Sequence, residues 1–475
     1  MLLTIREYGV IEDNGTNAEM IAPTQLDRIQ VPSSVFDYLC ELAGQYKRNG
    51  VPIFEIEGRR TLKVDNYVGI ISTPCGHTIE ILPKHVEIEE QDQRTVALLK
   101  ERQLLRKMLL TLWKLPSPRE AGAASLDKLN LPLSEWIMSR FLEACNKLLQ
   151  RGVKSEYQGI AEQSAYLKGK LNIQRYLTQP VTEQHRFPIE HDIFSLNTAP
   201  NRLIKTALEK ICKLTQDNDN WRLANEIRLK LNEVPTSTLP RLDFPQWKSG
   251  RLYVQYEPIK VWCEIVLGEQ TPSALHGQWH GMSLLFPMEK LFEAYVLSKL
   301  EEQYSNHYQI QRQKSNKYLC HHNGKDRFNL RPDIYFKAKK DTYSNMILDT
   351  KWKLLDQNSE DQRYGISDGD MQQMFVYSYM YLEHDSPIVL IYPKSSKFNE
   401  ALPEFQLNKH ERDQGKNPKI WVLPFDLDND ELIDFDNMVN QYMRDSRQKC
   451  TIDNLLSDSG CFESTVPQNT SLSFE

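Results

Sequence analysis

The chain has 475 residues and a mass of 55.5 kDa, with 40% hydrophobic residues and a formal net charge of −6 at a pI near 6.1. That length supports two or three domains with real cores, and the charge excludes a histone-like basic surface while leaving room for a local basic patch. Eight cysteines (Cys40, Cys75, Cys145, Cys212, Cys263, Cys320, Cys450 and Cys461) without a CxxC pair predict reduced thiols and no zinc site, and the lack of a signal-peptide pattern or an apolar run of roughly 18 residues predicts a cytoplasmic protein with no membrane contact.

Residues 1–90 read as a β-rich domain. Phe54 and Ile56 alternate with polar neighbours, and Pro74 and Gly76 mark a turn between YVGIIST and TIEILPK. Within it, PSSVFDYLCELAGQYKRNG has a helical pattern, with Ser33 or Ser34 as the cap and Gly50 as the stop. This domain is either structural or partner-facing.

From 91 to 245 the period becomes helical. LLRKMLLTLWKL, LSEWIMSRFLEACNKLLQRG and NRLIKTALEKICKL repeat apolar residues every three or four positions, so three helices are expected to pack together. Between the last two, Lys168, Lys170, Arg175 and Arg186 cluster near Tyr166 and Tyr176. The cluster reads either as a phosphate-contacting surface or as a solvated loop face. The proline-rich stretch EVPTSTLPRLDFPQWKSG, residues 233–250, is the candidate linker.

The last module is placed at 246–435. FPMEKLFEAYVLSKLEEQY is a helix with Pro287 at its first turn and Met288, Leu291, Phe292, Tyr295 and Val296 on one face. Glu289 and Glu293 share its flank. A run HYQIQRQ, strands LRPDIYF and MILDTKW, a helix MQQMFVYSYMYLE and a strand PIVLIYP follow, giving helix, three strands, helix, strand; KIWVLPFDL adds a further strand. Cys320, His321 and His322 suggest metal ligands, but adjacent residues rarely close a tetrahedral site, and they are expected in the turn HHNGKD. The tail, 444–475, is rich in Ser, Thr, Asn and Asp and is expected to be mobile.

The chemistry concentrates between Asn329 and Lys353. Asp333 lies on one apolar run, and Asp349 with Lys351 lies on the next, across the polar turn KKDTYSN. Two carboxylates at neighbouring strand ends suit a hard divalent cation such as Mg2+. A nearby lysine suits water orientation or charge balance in phosphodiester hydrolysis. An alternative is a surface ion pair, Asp349 with Lys351 or Asp333 with Arg331, on an exposed edge. Gln373 and Tyr377, four apart on the following helix, face one direction; Gln373 serves either the carboxylates or a capping box with Asp370, and Tyr377 reads as packing with a polar tip. Glu293 is either a third carboxylate of the site or a solvated helix residue. No GxxxxGK[ST] phosphate loop and no GxSxG elbow occurs, so nucleotide hydrolysis of the Walker type must come from another chain.

With these residues in view, the chain resembles the McrC subunit of McrBC-type (5-methylcytosine-specific) restriction systems, a PD-(D/E)xK nuclease family. The resemblance rests on YVGIISTPCGHTIEILPKH, LKGKLN, NTAPNRLIKTAL, MEKLFEAYV, RPDIYF, LDTKWK and DMQQMFVYSYMY, and extends to about Leu427. It implies an α/β fold: a C-terminal restriction-endonuclease-like core, α-β-β-β-α-β, behind a β-rich partner-binding domain and a helical middle region. It implies Mg2+ on Asp333 and Asp349, with Glu293 as a further ligand, Lys351 assisting catalysis and Gln373 close by. It also implies cleavage of double-stranded, methylated DNA and an AAA+ GTPase partner, McrB-like, which the chain stimulates. A different class of function is a non-catalytic adaptor that activates the NTPase and keeps the nuclease fold for binding; a third is a nuclease that acts without a motor.

Overall fold

The computed structural model describes residues 1–15, 26–48, 50, 52–85, 94–116, 130–251, 253–268, 275–276, 282–340, 343–382, 386–407 and 418–444. The expected mobile tail lies outside these from residue 445 onward, as do Asp341 and Thr342 of the KKDTYSN turn. The protein is mixed α/β and forms two compact units, Met1–Leu291 and Phe292 onward. Among the described residues, no helix is long and apolar enough to cross a membrane.

The first unit opens with alternating strands β1 (Leu2–Arg6), β2 (Val10–Asp13) and β3 (Arg28–Val31), then helix α1 (Ser33–Arg48). Strands β4 (Phe54–Gly58), β5 (Thr61–Val64), β6 (Tyr67–Ser72) and β7 (Thr78–Leu82) follow. They make two sheets, β3-β2-β5-β4 and β1-β7-β6, whose apolar faces enclose Leu3, Ile5, Ile11, Leu39, Leu62 and Ile79. Ser33 stands at the first position of α1 and donates to Asp13 Oδ1 (2.8 Å), and Gly50, with φ +76°, follows the helix end.

The β1-β7-β6 sheet is extended by β11 (Leu275–His276) and β12 (Leu284–Pro287), with β12 antiparallel to β6. Gly69 makes that approach possible: a Cβ there would sit 2.0 Å from the Leu284 carbonyl oxygen, at φ +135°. Residues 275–287, placed by the sequence in the last module, therefore belong to the first unit.

The middle helices are α2 (Arg94–Leu112), α3 (Leu133–Arg151), α5 (Ala199–Leu214), α6 (Asn218–Lys230) and α8 (Glu257–Leu267), with short α4 (Ile173–Leu177) and α7 (Pro240–Asp243) between them. Of the three helices expected to pack mutually, α3 and α5 do so largely through two others, both lying on α6 and α8, whereas α2 lies on β7. Trp262 of α8 meets Trp113 and Trp136 edge-on at 5.6 and 5.9 Å. Buried Glu80 of β7 accepts from Arg102 Nε (3.1 Å), from the Leu133 amide (2.8 Å) and from Thr4 (3.1 Å), so one carboxylate ties α2 and α3 to the sheet.

The expected linker is packed rather than extended. Pro240 and Pro245 stand early in α7 and the 3-10 turn Phe244–Gln246, Phe244 and Trp247 are buried, and Asp243 accepts from Arg202 at 2.6 and 3.1 Å. The stretch with Lys168, Lys170, Arg175 and Arg186, expected as loop, forms a sheet of β8 (Glu156–Ser164), β10 (Phe187–Ser195) and β9 (Lys170–Leu171), with most of its side chains in solvent.

The second unit is built on a seven-stranded mixed sheet, β13-β16-β17-β18-β20-β19 with β21 on β20. Its strands are β13 (Tyr308–Arg312), β16 (Ile334–Ala338), β17 (Met346–Thr350), β18 (Ile388–Pro393), β19 (Phe405–Gln406), β20 (Lys419–Asp426) and β21 (Glu431–Leu432). β16 runs antiparallel to β17, whereas β17, β18 and β20 are parallel. The near-continuous apolar runs of β17, β18 and β20 match strands covered on both faces. Helix α9 (Met288–Tyr304) covers one face through Phe292 and Tyr304, which meet Phe425 and Phe336 at 6.2 and 6.3 Å. Helix α10 (Asp368–Tyr381) covers the other, where Met374 and Tyr377 pack on Tyr335, Ile347, Leu390 and Tyr392. A separate hairpin, β14 (Lys317–His322) and β15 (Lys325–Leu330), stands outside the sheet.

Candidate active site

Strand pairing brings the first two residues together. The β16/β17 ladder places Ile334 opposite Leu348, so one step further Asp333 stands across from Asp349. Asp333 Oδ2 accepts from both the backbone amide and the hydroxyl of Thr350, each at 2.9 Å. Thr350, the middle letter of Asp-x-Lys, carried no signal in the sequence; its value lies in an amide that only the neighbouring strand can present.

Asp349 is fully buried on β17, an interior strand flanked by β16 and β18, not an exposed edge. Its Oδ2 accepts from the Lys351 ammonium, so the ion pair read from the sequence exists, but in the interior. Its Oδ1 is buried with no hydrogen-bond partner. Such an oxygen costs about 1–3 kcal/mol or more unless something satisfies it. Burial, then the charge of Asp333, push the Asp349 carboxyl well above its usual range, and Lys351 only partly offsets them. Burial alone would lower the Lys351 ammonium, but Asp349 outweighs it and holds the lysine charged.

Helix α10 supplies the next layer. Ser367 caps it: its hydroxyl accepts from the Asp370 amide (3.2 Å), while Asp370 Oδ2 accepts from the Ser367 amide (3.3 Å). The capping box is therefore Ser367 with Asp370, three residues earlier than the Asp370 and Gln373 pairing considered from the sequence. Gln373 is left for the site. Its Oε1 accepts from Lys351 Nζ at 3.2 Å, and its Nε2 donates to the Tyr377 hydroxyl at 2.8 Å. Tyr377, buried in the core as expected, passes the chain on by donating to the Arg331 carbonyl at 2.8 Å. Burial pushes its phenol up to about 12, so it remains a donor.

Glu293 of α9 is only 6% exposed, which sets aside a solvated role. Its Oε1 accepts from Gln313 Nε2 (3.0 Å) and pairs with Arg312 (3.4 Å). Burial, then the charge of Asp333, raise its carboxyl, so Glu293 feels the carboxylate pair. Yet among the described residues no group of three or more His, Cys, Asp or Glu is disposed to hold a metal ion. The carboxylates brought face to face are two, with Glu293 in electrostatic reach.

Cys320, His321 and His322 lie on strand β14, before a turn narrowed to Asn323 and Gly324, and not in the turn itself. His321 Nδ1 is 3.0 Å from Asp326 Oδ1 across the hairpin.

Comparison with known proteins adds three findings. Residues 62–393 match the family model described as McrBC 5-methylcytosine restriction system component. Among solved structures, the fold is similar to a chain of a refined half-complex from a tetradecameric assembly of Thermococcus gammatolerans McrB AAA+ hexamers with bound McrC. That likeness has 17% identity and a TM-score of 0.66, and covers 90% of this chain and 95% of that one. A chain in the cryo-EM structure of the Thermococcus gammatolerans McrBC complex is also similar, at 17% identity and TM-score 0.45, with 62% and 86% covered. No curated protein sequence matches.

Proposed function

The chain belongs to the family of McrBC 5-methylcytosine restriction system components, and from that premise we propose that it is the McrC-type, Mg2+-dependent endonuclease subunit, with a PD-(D/E)xK core. The observation that carries this reading is the unpartnered, buried Oδ1 of Asp349 opposite Asp333. A hard cation satisfies such an oxygen and removes the repulsion between the two carboxylates.

Asp333 and Asp349 would hold the ion, and Glu293 lies near enough to add its charge. When bound, Mg2+ supplies Lewis-acid polarisation of a phosphoryl oxygen and a bound water of lowered pKa. The remaining work falls to the chain. Thr350 fixes the orientation of Asp333 through two hydrogen bonds, and Lys351, kept charged by Asp349, offers an ammonium to developing negative charge on phosphate. Gln373 Oε1 accepts a hydrogen bond from Lys351 and so limits where the ammonium can point.

The chain has no phosphate loop of its own, and the partner is an McrB-like AAA+ protein, read from the McrB hexamers with bound McrC in the similar structure. It hydrolyses GTP and delivers double-stranded, methylated DNA to the site. Asp349→Ala in the purified complex should abolish cleavage in Mg2+ while partner binding and NTPase stimulation persist. Undiminished cleavage by that variant would overturn the assignment.

The competing reading is a non-catalytic adaptor that activates the NTPase and keeps the nuclease fold for binding. Titration of the chain with Mg2+ or Mn2+ separates the two, since an adaptor should show no metal binding that Asp333→Ala removes.

A further inference from the structure

The hairpin β14/β15 is the least explained part of the second unit. Its strands are closed by Asn323 and Gly324, both at positive φ (+48° and +72°), the two-residue turn that matches strand twist. Every residue of β14 and β15 except Leu330 is exposed. Two six-residue strands extend about 20 Å, and nothing in their composition requires that length for the core.

The ribbon has two unlike faces. Side chains alternate along each strand, so Tyr318, His322, Lys325 and Arg327 share one face, paired across the ladder as Cys320 with Arg327 and His322 with Lys325. Leu319 and Phe328, 53% and 72% exposed, lie on the other. Phe328 has φ +58°, a conformation costly for an aromatic residue, and the strain does not bury its ring. Between Lys314 and Arg331 there are five lysines and arginines against Asp326 alone, a local charge of +4 in a chain of net −6. Asp326 is itself engaged by His321.

The ribbon is also bolted to the candidate site. The Tyr381 hydroxyl lies 2.8 Å from the Lys314 carbonyl oxygen and 2.7 Å from that of Leu330, joining both feet to α10. The Lys314 ammonium sits 3.6 Å from the centroid of Tyr335, on β16. At Arg331 the second foot meets the chain of bonds running through Tyr377 and Gln373 to Lys351. A ligand held by the ribbon is thereby placed in a fixed relation to Asp333, three residues beyond Leu330.

We propose that the hairpin Lys317–Leu330 is a duplex-DNA clamp: its Lys325 and Arg327 face grips phosphates, and Phe328, on the opposite face of the ribbon, wedges into the groove. This inference rests on the reading of the site as a DNA endonuclease. A two-stranded ribbon fits a DNA groove, exposed cations on one face supply salt-dependent affinity, and an exposed apolar side chain on the other face is the form of a groove wedge. The charge complementarity selects nucleic acid over a second copy of this acidic chain.

The test is equilibrium binding of a fluorescent DNA duplex to the full-length chain, without divalent metal, across a series of KCl concentrations. The double variant Lys325→Ser, Arg327→Ser should bind about tenfold more weakly. Its log–log salt slope should fall by about 1.8, at roughly 0.9 for each phosphate no longer neutralised. Phe328→Ser alone should weaken binding with the slope unchanged. Because these side chains are exposed, both variants should keep the native circular dichroism spectrum and melting temperature. Unchanged affinity and slope in the double variant overturn the clamp, and so does an intact chain with no salt-dependent duplex binding. A double variant that alters only the oligomer mass by light scattering identifies a protein contact and also overturns it. If the double variant loses binding while the intact complex never cuts DNA, the clamp stands and the nuclease reading fails; if binding is unaffected while Asp349→Ala abolishes cleavage, the reverse holds.

Discussion

Two buried aspartates of the second unit sit beside lysines towards the carboxyl ends of parallel strands in one mixed sheet, yet their environments differ. Asp426, at the end of β20, accepts from Lys394 Nζ (2.7 Å), from the side chain of Asn429 (3.1 Å) and from the amides of Asp428 and Asn429 (2.9 and 3.0 Å). Burial would raise its carboxyl, but those donors outweigh burial and pull it down to about 2. Asp349, on β17, has one donor, Lys351, and one orphaned oxygen, and its carboxyl is raised. An aspartate with a lysine neighbour is therefore not a site by itself. The difference lies in whether both oxygens are satisfied by the protein, and the carboxyl ends of parallel strands are where an unsatisfied one can meet a ligand.

Asp349→Ala should separate the two aspartates most widely. On the proposed reading, in which Asp349 would hold the metal, its loss removes several kcal/mol of transition-state stabilisation, so single-turnover cleavage should fall by about 10^3-fold or more. Thermal stability should change little, because removing the uncompensated buried Oδ1 offsets the loss of the Lys351 pair, whose ammonium keeps Gln373. A variant that melts far below the intact chain, or that cuts nearly as fast, would make Asp349 a structural residue like Asp426.

Asp426→Ala should behave in the opposite way. It strands the Asp428 and Asn429 amides and the Lys394 ammonium, and because Lys394 is partly exposed the loss is about 1–2 kcal/mol, a drop of a few degrees in melting temperature. Cleavage per folded molecule should not change. The pH dependence carries the sign. A carboxyl lowered in the folded state contributes stability that is complete above its unfolded pKa of about 3.9 and is lost as pH falls towards 2. The intact chain should therefore lose stability over that window, measured by urea unfolding, more steeply than Asp426→Asn. Equal slopes would remove Asp426 from the acid-sensitive groups.

This contrast was only partly legible in the sequence. That Asp349 interrupts an apolar strand was readable, because a charge among Met346, Ile347 and Leu348 is unusual. That one of its oxygens is orphaned was not, because partners come from neighbouring strands and loops. Local signals also misled where two physical meanings overlapped. Pro240 and Pro245 suggested a linker but begin short helices that bury Phe244 and Trp247. Ser367, Asp370 and Gln373 offer two overlapping capping boxes, and only the folded helix shows which one forms. The pairing of β12 with β6, more than two hundred residues earlier, has no local signature except Gly69. Asn323-Gly324 was read as a turn, but the flanking strands were not, because their side chains alternate with no buried face to pattern them.

The smallest effect concerns how Lys351 differs from Lys394. Lys394 serves a carboxylate that already has other donors, whereas Lys351 also donates to Gln373, which Tyr377 holds in turn. If Gln373 only orients Lys351, Gln373→Ala should lower kcat by about three- to tenfold, the equivalent of one hydrogen bond of about 1 kcal/mol. DNA affinity and metal binding should stay near the intact values. Tyr377→Phe should reproduce part of the effect by releasing Gln373 and the Arg331 carbonyl together. A loss as large as that of Asp349→Ala would instead place Gln373 in contact with the reacting groups. An unchanged rate in both variants would mean that Asp349 alone fixes the lysine, leaving the polar chain from Lys351 to Arg331 to stabilise the foot of the hairpin.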